Sequence, residues 1–109
     1  MYSLIGKIHQ LLLPEVDMKD NSAWYVYLLR CSDNSLYCGV TTDLTRRLKE
    51  HNESDKGAKY TRARRPVSLV FNQSTSCRSE ACRLESYIKK MTKVHKEALI
   101  KSAEIVVLP

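Results

Sequence analysis

The sequence predicts an α/β domain of the α+β kind, in which a small three-stranded antiparallel sheet is flanked by helices. Three β-prone segments support the sheet, and the first two lie close enough in sequence to form a hairpin. Helical periodicity after the hairpin and after the third segment supplies the flanking helices. The chain has 109 residues, which is the length of one such domain and too short for two.

The predicted hairpin joins strands at residues 24–30 and 35–40, which are rich in aromatic and β-branched residues. Residues 32–34 have the composition of a turn. A three-residue loop would place Tyr27 opposite Gly39 and put Tyr27 and Tyr37 on one face of the sheet, whereas a two-residue loop would put them on opposite faces. We expect the odd-length loop, with Asn34 at positive φ and both tyrosine hydroxyls facing Arg47.

The remaining elements follow from capping and periodicity. One of residues 41–43 caps a helix over about 44–52, and Pro66 opens a third strand over 67–71. Ser76 or Ser79 caps a helix that ends near Met91, and Thr92 caps a last helix that ends near Lys101. The segment 105–108 is β-prone, but the pattern does not place it.

The pattern divides the chain into an appendage at 1–22, a domain at 23–103 and a tail at 104–109. The appendage has a short apolar run that is broken by Pro14 and followed by linker-like residues. We expect it to be partly disordered or to dock as an amphipathic helix.

Composition and charge restrict the class of function. The formal net charge is +6 and the pI about 9.3, which fits a polyanionic partner. No secretory signal or membrane-spanning run is visible, so we expect a cytoplasmic protein without a membrane partner. The four cysteines form no CxxC pair, which favours reduced thiols over a zinc site.

Two ionisable side chains lie on the helical face that should meet the core. Leu44, Arg47, Leu48 and His51 fall at i, i+3, i+4 and i+7 of the first helix. A buried Arg requires an anion as partner. Alternatively, Arg47 and His51 lie at the rim of the apolar stripe and extend their polar ends to solvent.

A later helix repeats this anomaly with an acid. Glu85 lies between Ala81 and Ile88 on the apolar side of the predicted 77–91 helix. A carboxylate there requires a cation, which is either an arginine in a structural ion pair or a metal ion.

The spacing of these residues resembles the GIY-YIG nuclease family. Tyr25-Val26-Tyr27 is followed ten residues later by Tyr37-Cys38-Gly39, and Arg47 lies ten residues beyond Tyr37. His51 and Glu85 then fall where that family keeps a His or Tyr and its metal-binding glutamate. The resemblance covers about residues 24–92 and is closest to small single-domain bacterial members of the UPF0213 type.

The resemblance implies a GIY-YIG domain and an endonuclease that hydrolyses DNA phosphodiester bonds, with a role in repair or recombination. Arg47 would bind the phosphate, Glu85 would hold one Mg²⁺ or Mn²⁺, and Tyr27, Tyr37 or His51 would deprotonate the attacking water. A free tyrosine has a pKa near 10, so a tyrosine base would need neighbouring cations to lower its pKa.

A dense basic run at residues 56–65 is either a solvated loop or a grip on a nucleic-acid backbone. Under the second reading its nucleic-acid-binding residues are Lys56, Lys59, Tyr60, Arg62, Arg64 and Arg65. Branched, single-stranded and duplex DNA all stay open as substrates, and so do protein partners and oligomeric state. The alternative functions are a non-catalytic nucleic-acid-binding module and a protein-interaction module that uses residues 1–22.

Overall fold

The computed structural model describes residues 23–109, and the predicted 1–22 appendage lies outside this range. Three strands form one antiparallel sheet with the order β2-β1-β3: β1 Trp24–Arg30, β2 Leu36–Thr41 and β3 Ser68–Thr75. Four helices accompany the sheet: α1 Leu44–Glu53, α2 Lys59–Arg62, α3 Arg78–Lys89 and α4 Lys93–Ser102. The predicted α+β architecture is confirmed.

The hairpin has the predicted register. Tyr27 pairs with Gly39 and Leu29 pairs with Tyr37, so both tyrosines lie on one face of the sheet. The backbone N–H of Cys31 donates to the carbonyl of Ser35 across the three-residue loop. Asn34 has φ 70°, a left-handed conformation that asparagine tolerates better than most residues.

The two faces of the sheet bury different clusters. One face packs on α3 and is purely apolar apart from a thiol: Val26, Leu28, Cys38, Phe71, Ala81, Leu84 and Ile88. The other face packs mainly on α1 and contains the tyrosines: Tyr27, Leu29, Cys31 and Val67, with Tyr37, Leu44, Leu48 and Leu69 at its margin. Alternation along the strands therefore assigns the ionisable residues of α1 to the tyrosine face.

Several predicted boundaries were wrong. The third strand starts at Ser68 and continues to Thr75, because it pairs with β1 as far as Trp24 and includes a bulge opposite Leu28/Leu29. Helix α3 begins at Arg78 with Cys77 as its N-cap, so neither predicted serine caps it. The helix also ends at Lys89, short of Met91.

Other caps agree with the prediction. The Asp43 side chain accepts from the Arg46 N–H at the start of α1, and the Thr92 side chain accepts from the His95 N–H at the start of α4.

The β-prone tail forms no strand within the described residues. Instead, the Gln73 side chain donates to the Val106 carbonyl at 2.9 Å and accepts from the Val106 N–H at 2.8 Å. Val106 and Leu108 pack against the α3-side core, whereas Val107 is 78% exposed. Within residues 23–109, the helices are all too short or too polar to cross a bilayer.

Candidate active site

Tyr27 occupies the centre of the tyrosine face and is 2% exposed. Its phenol lies across Gly39, the residue it pairs with in the hairpin. A Cβ built on Gly39 would lie 2.5 Å from the Tyr27 hydroxyl oxygen and 2.7 Å from the adjacent ring carbon. Gly39 therefore makes room for a neighbouring side chain of the same sheet.

A chain of hydrogen bonds begins at the Tyr27 hydroxyl. The phenol oxygen lies 2.8 Å from His51 Nε2, and His51 Nδ1 lies 2.8 Å from Thr61 Oγ1. His51 and Thr61 are both 0% exposed. The rim interpretation is therefore wrong for His51, whose apolar-face position reflects full burial with both ring nitrogens bonded.

Burial keeps both members of this pair uncharged at neutral pH. Desolvation raises the pKa of Tyr27 to about 12, although the Arg47 guanidinium beside it acts in the opposite direction. Desolvation, together with the charge of Arg47, lowers the pKa of His51 to about 4. Neighbouring cations thus do not bring the tyrosine pKa into the neutral range.

Arg47 lies at the open margin of the same cluster, with its side chain 25% exposed. Its Nη1 donates to Glu50 Oε1 at 2.8 Å and to the Lys56 carbonyl at 2.9 Å. A guanidinium has five N–H donors, and the bonds of Arg47 to other groups of residues 23–109 use Nη1, so Nε and Nη2 remain for Tyr27 or for a phosphate. Arg47 is therefore held in place by structural partners while part of its fork stays available.

Tyr37 closes the cluster toward solvent. Its ring lies 5.2 Å from that of His51 and 6.5 Å from that of Tyr27, so three of the predicted site residues are in mutual contact. Its other neighbour is Tyr60, whose ring is stacked on it at 6.1 Å. The Arg64 guanidinium lies 3.8 Å above the Tyr60 ring.

Glu85 is not part of this cluster. It lies on α3, which packs against the opposite face of the sheet. Its side chain is 21% exposed and pairs with the Lys89 ammonium at 3.3 Å, so its ion-pair partner is a lysine, not the arginine considered from the sequence.

The described residues offer no group of three His, Cys, Asp or Glu side chains that could enclose a metal ion. One partly exposed carboxylate fits the other mode of Mg²⁺ binding, in which waters and substrate phosphate oxygens complete the coordination shell.

A groove at the edge strand β2 connects the two faces. It has a volume of about 260 Å³ and is lined by Leu36, Tyr37, Cys38, Tyr60, Lys89 and Lys96. Because Lys89 lines the groove and pairs with Glu85, that carboxylate lies near the groove. Burial first, and then the Glu85 carboxylate, raise the pKa of Cys38 to about 12.

Lys89 and Lys96 were missed from the sequence. Lys89 could have been found, because it lies one helical turn after Glu85 on the same face. Lys96 is on α4, and only the tertiary fold brings it to the groove.

The basic run is folded, and its residues divide into two groups. Arg65 donates from Nε to the His51 carbonyl at 2.6 Å and from Nη2 to the carbonyls of Glu50 and Ser54 at the end of α1. Arg64 pairs with Asp33 at 3.1 Å. The solvent-exposed members are Lys56, Lys59, Tyr60 and Arg62.

The four cysteines are free thiols, as expected from their spacing. Cys31 and Cys38 are buried in the two core clusters, and Cys77 is exposed at the start of α3.

Comparison with known proteins gives a consistent family. The model of the GIY-YIG catalytic domain matches residues 23–98. The UPF0213 protein DP2720 of Desulfotalea psychrophila is 48% identical over 85 residues, which cover 78% of this chain and 77% of that protein. The UPF0213 protein YazA of Bacillus subtilis is 48% identical over 83 residues, covering 76% and 82% of the two chains.

A solved structure shares the fold. The solution NMR structure of the protein EF2693 from E. faecalis is 40% identical, has a TM-score of 0.53 and covers 80% of this chain and 94% of that one. Because the catalytic-domain model spans most of the described residues, the chain belongs to the GIY-YIG family, and its relatives include small UPF0213 proteins.

Proposed function

We propose that this protein is a divalent-metal-dependent endonuclease that hydrolyses DNA phosphodiester bonds. The observation that carries the proposal is the buried Tyr27 hydroxyl, which lies 2.8 Å from His51 Nε2 and beside the Arg47 guanidinium. Such a cluster combines a proton relay with a fixed cation, and the chain belongs to a nuclease-type family.

Arg47 binds the scissile phosphate in this proposal. Its Nη1 is anchored by Glu50 and the Lys56 carbonyl, so the free part of the fork is positioned before substrate arrives. A preorganised guanidinium stabilises the charge that develops on the phosphate oxygens during attack. Anchoring on α1 also keeps this charge next to the Tyr27 hydroxyl.

Tyr27 and His51 act together as the base. A free phenolate is costly at a pKa of about 12, but a relay avoids it, because the phenol accepts the proton of water while it gives its own to His51 Nε2. A phosphate bound at Arg47 offsets the positive charge that lowers the pKa of His51, and so makes the imidazole a better acceptor. Tyr37 packs on His51 and shields the relay from solvent.

Glu85 would hold one Mg²⁺ or Mn²⁺, which when bound supplies charge stabilisation at the leaving 3′ oxygen. Since Glu85 and Arg47 lie on opposite sides of the sheet, the substrate backbone has to pass around the edge of β2. The groove there offers Lys89 and Lys96 to phosphates and Tyr60 to a sugar or base. Further exposed positive charge comes from Lys56, just before α2, and from Lys59 and Arg62 on α2.

The wider context of the proposal is a cytoplasmic enzyme of DNA repair or recombination. Its catalytic domain would span residues 23–103, with 1–22 as an appendage. The alternative is a nucleic-acid-binding module that keeps the fold without cutting. That alternative is favoured by one observation, namely that the pKa of His51, lowered to about 4, makes the imidazole a weak acceptor for the Tyr27 proton.

A cleavage assay separates the two functions. Purified protein is incubated with duplex, single-stranded and branched DNA in Mg²⁺, in Mn²⁺ and in chelator. We expect metal-dependent cleavage that falls by about 10²-fold or more in Arg47→Ala and in Glu85→Ala, because each removes a charge that acts on the reacting phosphate.

Arg46→Ala is the matched control for Arg47, since Arg46 is the adjacent arginine, is 55% exposed and also pairs with Glu50. Cleavage that survives in both Arg47→Ala and Glu85→Ala would contradict the assigned site. Binding of DNA without cleavage under every metal condition would support the non-catalytic module.

A further inference from the structure

Thr61 lies in the middle of the basic run, yet it is 0% exposed. The short helix α2 carries it inward, and its Oγ1 lies 2.9 Å from the Ala58 carbonyl and 2.8 Å from His51 Nδ1. A buried hydroxyl between these two groups has no solvent to satisfy it, so its single proton has to be assigned to one of them.

The proton count decides the direction of both bonds. A carbonyl oxygen can only accept, so the bond to Ala58 uses the one proton of the Thr61 hydroxyl. Thr61 Oγ1 must then accept from His51, which requires the proton of the neutral imidazole to be on Nδ1. The alternative is that Nδ1 carries no proton and accepts from the Ala58 N–H. That nitrogen lies 3.4 Å from Nδ1, which is long for an N–H donor, so the Thr61 bond is the stronger of the two.

With the proton on Nδ1, His51 Nε2 presents a lone pair. The Tyr27 hydroxyl lies 2.8 Å from it and therefore donates its proton to Nε2. In the other tautomer, Nε2–H would donate to the Tyr27 oxygen, and the phenol proton would have no hydrogen-bond acceptor among residues 23–109.

We propose that Thr61 is a positioning residue that fixes His51 as the Nδ1–H tautomer and thereby keeps Nε2 as the acceptor for the Tyr27 proton. Its catalytic consequence rests on the proposed nuclease function, whereas the tautomer itself does not. The partner of His51 Nδ1 is thus supplied by α2. The other residues of the cluster are on the sheet and on α1.

The test reads the tautomer directly, by ¹⁵N NMR of the imidazole nitrogens at neutral pH. His51→Gln assigns the signals, because the chain has three histidines. We expect the Nδ1–H tautomer in wild type and in Thr61→Ser, which keeps the hydroxyl. Thr61→Val removes it at nearly constant volume, so the Ala58 N–H becomes the partner of Nδ1 and the proton moves to Nε2.

The activity measured alongside should fall by roughly 10²-fold in Thr61→Val, a typical share for a positioned proton acceptor, and should stay near wild type in Thr61→Ser. An Nε2–H tautomer in wild type would overturn the proposal, and that measurement needs no folded variant. An unchanged tautomer in folded Thr61→Val, or a shifted tautomer with full activity, would overturn it as well. A wild-type protein that cuts no DNA would contradict the proposed function alone, because the tautomer stays measurable.

Discussion

At the level of single residues, every member of the buried polar cluster has a hydrogen-bond partner. Tyr27, His51 and Thr61 are almost or fully excluded from solvent. Among residues 23–109, no buried side-chain nitrogen or oxygen lacks a hydrogen-bond partner. A satisfied network can be rigid and specific, whereas removing one partner leaves another polar atom buried without a bond.

Stability should fall as pH decreases through the range in which His51 takes up a proton. The ordinary pKa of 6.5 applies to the unfolded chain and about 4 to the folded one, so the unfolded state binds more protons between these values. We expect the unfolding free energy to decrease between pH 6.5 and 4 by up to about 3 kcal/mol. Urea titrations at several pH values measure this slope.

His51→Gln should flatten the slope, and His95→Gln should leave it unchanged, because His95 is exposed. An equal slope in wild type and His51→Gln would mean that His51 is not a buried neutral group. Hydrogen bonds from Arg30 and Lys93 lower the pKa of Glu97 to about 2, so its contribution to stability also begins to be lost as the pH falls through its ordinary pKa of 4.5. Because Glu97 is present in both wild type and His51→Gln, the difference between the two slopes measures His51.

Strand alternation and turn chemistry were sufficient to predict that Tyr27 and Tyr37 share a face. Helical periodicity likewise brought Arg47 and His51 to the core side of α1. The bond from His51 to Thr61 could not be predicted, because the basic composition of residues 56–65 gives no sign that one uncharged side chain in it is buried. The position of Glu85 on the side of the sheet opposite Tyr27 could not be predicted either, because it depends on which face α3 packs against.

At the level of elements, the basic run supports α1 as much as it offers charge to a ligand. Gly57 packs so closely on α1 that a Cβ there would lie 2.7 Å from the Glu50 carbonyl. Arg65 donates to the carbonyls of Glu50, His51 and Ser54 at the C-terminal end of α1. The carbonyls of Glu50 and Ser54 also accept from the backbone N–H groups of Ser54 and Gly57, so Arg65 reinforces the end of the helix. The charge of Arg65 also complements the negative end of the helix dipole.

Arg65→Gln should therefore destabilise the protein by about 2 kcal/mol, since it removes charge-assisted bonds to partly buried carbonyls. Arg62→Gln is the matched control, because Arg62 is exposed and makes a single bond to the Asp55 carbonyl at 3.2 Å. Thermal or urea unfolding measures both changes. We expect the reverse order for DNA affinity and its salt dependence, which Arg62→Gln should weaken. Equal stabilities for the two variants would contradict the helix-supporting role.

Element boundaries were predictable where local chemistry sets them. Asp43 and Thr92 cap their helices through side-chain bonds that the residue type makes probable in advance. The last residues of β3 are polar, and they are in a strand because they pair with the start of β1 across the sheet. Cys77 caps α3 without a side-chain bond, while the Ser76 N–H donates to Glu80 at 2.8 Å, a contact no N-cap preference indicates.

At the level of the whole molecule, the C-terminal tail is held against the sheet. The Gln73 side chain on β3 bonds both the carbonyl and the N–H of Val106. The tail is therefore held by a side chain, whereas an added strand would be held by backbone hydrogen bonds. Val106 and Leu108 then extend the apolar cluster under α3 and α4.

Leu108→Ala should lower the unfolding free energy by about 1–2 kcal/mol, because part of its side chain packs on this cluster. Val107→Ala should have little effect, since that neighbouring side chain is 78% exposed. Urea unfolding of the two variants checks the difference. If both variants were as stable as wild type, the tail would contribute nothing to the core and the predicted boundary at 104 would stand.

The contact between Tyr27 and Gly39 has a consequence for how this sequence can change over generations. Any side chain at position 39 would collide with the phenol, and removing only its hydroxyl would leave the adjacent ring carbon 2.7 Å from the new Cβ. Position 39 can therefore accept a larger residue only in a lineage that has already lost the aromatic ring at position 27. We therefore expect a descendant with a side chain at position 39 to lack the proton relay through Tyr27. The residue at position 39 would then identify relatives that do not use this relay.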